Sequence, residues 1–75
     1  MNDLPEQPMG YSKGQLASLA NIPYSTLVYW IFNHKVDPPL CAYENIKQLR
    51  YDMDSLKTAL RQIEEAKAVL ASTDH

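Results

Sequence analysis

Small and apolar residues recur at helical spacing in the first half of the chain. Leu16, Ala17 and Ala20 fall on one face of a helix that starts after Ser12 and runs to about Ala20. Ser12 with Gln15 three residues later has the form of a capping box, with Tyr11 and Leu16 at the staple positions beside it. Asn21 tolerates the left-handed backbone of a tight turn, and Ile22 plugs it. Pro23 suits the first turn of a second helix reaching about Asn33, whose inner face carries Leu27, Trp30 and Ile31.

The second half has a different rhythm. Asp37-Pro38-Pro39 reads as another helix start, and no glycine or proline follows between Leu40 and Ser72. Ile46, Leu49, Met53, Leu56, Leu60, Ile63, Lys67 and Leu70 are spaced as heptads, interrupted in character only by Lys67. The expected fold is therefore all-α: a flexible arm over 1–10, two short helices over 11–36, one long helix over 37–72 and a disordered tail over 73–75. Leu40 and Tyr43 would cover the short helices. The alternative is a winged helix, with a small β-hairpin at about 40–51 and a shorter helix from Asp52 or Asp54. The absence of a glycine turn and the weak β character of 40–51 weigh against that hairpin.

The second half of the heptad stripe extends beyond what two short helices can cover, which predicts a homodimer joined through Met53, Leu56, Leu60, Ile63 and Leu70. Lys67, inward on that pattern, would weaken the pairing and help fix its register. Asp52 and Lys57 would flank the seam.

Seventy-five residues allow one small domain, and the 45% apolar content excludes wholesale disorder. Met1 to Gly10 is polar and acidic, unlike a signal peptide, and no apolar run is long enough to span a membrane. A lone cysteine, Cys41, fits a reducing cytoplasm. The net charge of −2 works against phosphate binding, but it is unevenly spread. Residues 11–51 hold Lys13, Lys35, Lys47 and Arg50 against Asp37 and Glu44, so this half is the positive one. No metal-ligand spacing, phosphate-cradling glycine loop or nucleophile–base pair points to an enzyme, and no metal or cofactor is expected. His34 reads as an exposed connector residue, and Glu64-Glu65 as a solvated face.

Tyr11 to Asn33 resembles the helix-turn-helix DNA-binding superfamily. Ala17 stands where that pattern wants a small residue, Asn21 where its turn has glycine, and Leu27 and Trp30 at buried positions of its recognition helix. The chain looks like small phage and plasmid regulators of the Cro/repressor kind, which implies the cytoplasm of a bacterial or phage-infected cell. Tyr11-Ser-Lys-Gly-Gln-Leu-Ala with Ser25-Thr-Leu-Val-Tyr-Trp also resembles MerR-type and excisionase-type domains, although Val28 replaces the arginine usual in the MerR pattern. The resemblance implies a sequence-specific, double-stranded DNA-binding transcriptional regulator, repressor-like and acting as a homodimer. A recombination accessory factor, or an acidic module that antagonises a protein partner, are the alternatives.

On this reading Tyr24, Ser25, Val28 and Tyr29 face the DNA, with Pro23 and Thr26 alongside. Lys13 and Lys35 hold the backbone on either side. Ser25 suits a base edge or a phosphate, Val28 a thymine methyl, and the tyrosine hydroxyls phosphate oxygens. The face has no arginine, lysine, asparagine or glutamine, so shape and apolar contacts would carry more of the readout than bidentate pairs.

Overall fold

The structure, a computed structural model, describes residues 10–73. The arm expected over 1–10 and the tail over 73–75 lie outside them, apart from Gly10 and the helical backbone of Thr73. Five elements follow in order: α1 (Lys13–Ala20), α2 (Tyr24–Phe32), β1 (Cys41–Tyr43), β2 (Ile46–Arg50) and α3 (Met53–Thr73).

The first two helices form as their caps dictate. Ser12 Oγ accepts from Gln15 N at 3.1 Å, and Gln15 Oε1 accepts from Ser12 N at 2.8 Å, which closes the capping box. Asn21 ends α1 in the left-handed region, at φ 60° and ψ 45°. Pro23 stands one residue ahead of α2 as its extended N-cap, not inside its first turn. Leu16, Ala17, Ala20, Leu27 and Trp30 are buried, and Ile22 and Ile31 pack against them.

The all-α expectation is wrong beyond Val36: the protein is a small mixed α/β domain, and the long helix over 37–72 does not exist as one piece. Pro38 and Pro39 hold the chain extended. An antiparallel hairpin then pairs Cys41 with Arg50 and Tyr43 with Ile46. Between those pairs β1 advances two residues and β2 four, so the ladder is irregular. Its turn is Glu44-Asn45, and Asn45 at φ 68° supplies the left-handed conformation for which a glycine was sought. The hairpin thus lies where the alternative winged arrangement placed it.

The heptad spacing misleads at 46–51 because it passes over Tyr51, which is completely buried, and includes Leu49, which is exposed. Tyr51 and Tyr11 exchange backbone hydrogen bonds of 2.8 and 2.9 Å, which adds the stretch before α1 as a bridge beside the hairpin. A fresh helix start follows. Asp52 Oδ1 accepts from Ser55 N at 2.8 Å and Ser55 Oγ accepts from Asp52 N at 3.0 Å, so α3 begins at Met53.

Leu56, Ala59 and Ile63 of α3 are fully buried against the helix pair, with Met53 and Leu60 packed at the edge. These residues are the third-helix cover, a role expected of Leu40 and Tyr43. Leu40 instead projects into solvent, and Tyr43 is half-buried in the hairpin. Most of the stripe read as a dimer seam is therefore this domain's own core; of its members in α3, Leu70 is exposed. Lys67 turns to α1, where its Nζ donates to Ala20 O at 2.8 Å.

The connector between α2 and the hairpin is pinned at Asp37 from both sides. Asp37 N donates to Gln62 Oε1 at 2.8 Å, and Tyr51 Oη donates to Asp37 O at 2.6 Å. Val36 beside it is buried. The hairpin is thereby held in a set position relative to α2.

Candidate nucleic-acid interface

Helical geometry sorts the residues of α2 cleanly. At about 100° per residue, Tyr24, Val28, Phe32, Ser25 and Tyr29 occupy an arc of about 140°. All five are exposed, while Leu27 and Trp30 point into the core. No residue of α2 is charged. Phe32 extends the expected face by one turn and was missed because it falls at the end of the helix, where the core period no longer constrains it.

Beside this face lies a cleft of about 630 Å³ between the start of α1, the start of α2 and β2. Ser12, Lys13, Tyr24, Gln48, Leu49 and Arg50 help to line it, and among the described residues no acidic one does. Gly14, in the first turn of α1, also lines it, so that helix presents its N-terminal end there. The hairpin makes this cleft. A continuous helix over 40–51 would have left it unwalled, which is why nothing in the sequence places Gln48 and Arg50 beside Lys13.

Arg50 is the residue that joins the walls. One of its terminal guanidinium nitrogens donates to Gly10 O at 3.0 Å and to Gln15 Oε1 at 3.3 Å, the latter being the capping oxygen of α1. Its charge is therefore fixed at the cleft by the elements that form it. Gly10 turns at φ +75°, and a Cβ there would stand 2.7 Å from Tyr51 O and 2.8 Å from the Tyr43 ring. The backbone at residue 10 must hug the hairpin for Arg50 to reach it.

The expected site residues divide into three groups. Lys13 and Tyr24 meet in the cleft, and Ser25, Val28 and Tyr29 continue from it along α2. Pro23 is exposed at the helix start, and Thr26 is half-buried at the margin. Lys35 is not with them. It borders a shallow depression with Gln62, Glu65 and Val69 of α3.

Burial raises the Tyr51 hydroxyl above its ordinary value, and the nearby Asp37 carboxylate adds to the effect. The group behind the hairpin is thus a neutral donor at ordinary pH. Hydrogen bonds from Ser55, backbone first and then side chain, lower Asp52 below its ordinary value of 3.8. Among the described residues no cluster of His, Cys, Asp and Glu could hold a metal ion, and no helix is long and apolar enough to cross a membrane. Comparison of the chain with protein-family models, with curated proteins and with solved structures found no match.

Proposed function

We propose that the protein is a double-stranded DNA-binding module of the winged helix-turn-helix type, in which α2 enters the major groove and the cleft receives the adjacent phosphate backbone. The observation that carries this reading is the cleft itself. It opens directly onto the exposed arc of α2, holds Lys13 and Arg50, and has no acidic residue in its lining among the described residues. A fixed positive wall beside a protruding helix suits backbone positioning next to a groove reader. Residues 11–51, which form the cleft and α2, hold Lys13, Lys35, Lys47 and Arg50 against Asp37 and Glu44, opposite in sign to the overall −2.

Such a chain would regulate by occupying its site. Repression of a promoter is the form proposed, and shaping DNA for a recombinase is the second. Pairing of two copies through α3 has little apolar surface to use. Val69 and Leu70 are its exposed large apolar residues. A standard interface needs about 800 Å² from each partner, far more than two side chains supply.

The test is equilibrium binding of the full chain to random-pool duplex DNA across a salt series. Affinity should fall steeply with salt, and Lys13→Ala should reduce the log–log slope by about 0.9, the share of one phosphate contact. Absence of binding at low ionic strength would overturn the proposal. Stable capture of a protein instead would favour an adaptor role for the uncharged α2 face.

A further inference from the structure

The outer face of α2 says which DNA it would read. Tyr24 is 52% exposed, Val28 38%, Tyr29 64% and Phe32 80%, so large apolar and aromatic side chains stand in water along the whole helix. Ser25 provides a hydroxyl on the same arc, and no member of α2 carries a charge. A helix of this kind cannot make the two-pronged hydrogen bonds by which arginine reads guanine or an amide reads adenine. What the major groove offers an apolar side chain is the C5-methyl group of thymine.

We infer that α2 selects its site through thymine methyl groups, with Val28 and Phe32 as the principal contacts and Tyr29 beside them. Val28 and Phe32 are four residues apart and lie on one side of the helix, one turn from each other. They therefore address neighbouring base pairs, not the same one. The charge pattern fits this occupant: Lys13 and Arg50 stand in the cleft at the Tyr24 end, where the backbone flanking such a groove would run. Apolar edge contacts inside and cations outside complement a duplex, whose charge lies on its phosphates and whose methyl groups lie within the groove. The inference rests on the DNA-binding reading above and specifies its substrate as thymine-rich duplex.

Duplexes selected by the full chain from a random pool, resynthesised with deoxyuridine in place of thymidine, provide the test. Pairing and backbone charge are unchanged, and only the methyl group is lost. Affinity should drop about fourfold for each methyl contact removed, or about fifteenfold for two, with the salt slope unaltered. Val28→Ala and Phe32→Ala change exposed side chains and leave the core intact, so each should shrink the thymidine-to-deoxyuridine ratio. Equal affinity for the two duplexes would overturn this inference while leaving DNA binding standing. Failure to bind either duplex at low salt would overturn both.

Discussion

The Lys67 ammonium donates a 2.8 Å hydrogen bond to the carbonyl of Ala20, the last residue of α1. This carbonyl is one of those a helix end leaves without an internal partner, and a cation there also meets the negative end of the helix dipole. Glu64, one turn earlier in α3, lies 3.5 Å from the same nitrogen and steadies it. The residue that breaks the apolar stripe of α3 is thus a tether between the third helix and the first. Lys67→Met keeps the stem and removes the charge, and should cost about 1 kcal/mol of folding free energy. Urea denaturation of the two proteins measures it, and an unchanged midpoint would mean the contact is solvent-screened to nothing.

Gly10→Ala should be more damaging. The positive φ disfavours any side chain, and a Cβ would press on Tyr51 O and the Tyr43 ring. A loss of about 2 kcal/mol is expected, together with release of Arg50 from the residue 10 carbonyl. Thermal unfolding followed by circular dichroism reads the first effect. Weaker DNA binding at equal folded fraction reads the second.

Tyr51→Phe removes the donor to Asp37 O and leaves that carbonyl without its 2.6 Å partner. Destabilisation of about 1 to 2 kcal/mol follows. The wild-type protein should also lose stability as pH rises above 10.0, the ordinary value of the hydroxyl. Folding raises its pKa, so the neutral form is favoured in the native state and the contribution fades on the alkaline side. The phenylalanine variant should show a flatter alkaline limb. Equal slopes in denaturation series at neutral and alkaline pH would contradict this.

Asp52 titrates in the opposite sense. Its native pKa is depressed by the Ser55 hydrogen bonds, so its contribution is complete above the ordinary value of 3.8 and disappears as pH falls through the lower native value. Asp52→Asn retains a capping oxygen and should remove that part of the acid dependence. Acid unfolding monitored by tryptophan emission from Trp30 compares the two, and identical acid midpoints would exclude a role for the charge.

Mass measurement tests the assignment of the stripe. Because Leu56 and Ile63 are spent within the domain, their truncation to alanine should destabilise the monomer by about 2 to 5 kcal/mol. In dilute solution the wild-type chain should sediment as one copy. A stable dimer lost on Leu70→Ser would show that the last turns of α3 pair after all.

Much of the helix pair was legible in the residues themselves, because its determinants are local. Ser12 and Gln15 cap each other, Asn21 alone accepts the turn, and Leu16, Ala17, Ala20, Leu27 and Trp30 sit at spacings that only two crossed helices can bury together. The exposed arc of α2 followed from the same period. The hairpin was not legible in that way. Three-residue β1 and five-residue β2 are too short to impose a period, and Ile46, Leu49 and Met53 satisfy a helical spacing by coincidence. What decides for strands is non-local: Tyr11 pairing with Tyr51, Arg50 reaching Gly10 and Gln15, and Tyr51 and Gln62 holding Asp37. Those partners are between 14 and 40 residues apart, and no window of sequence contains them. Local capping and periodicity therefore determined α2 and its exposed arc. Only tertiary packing decided that a wall stands beside it, because the cleft exists through contacts that form after the chain has folded back on itself.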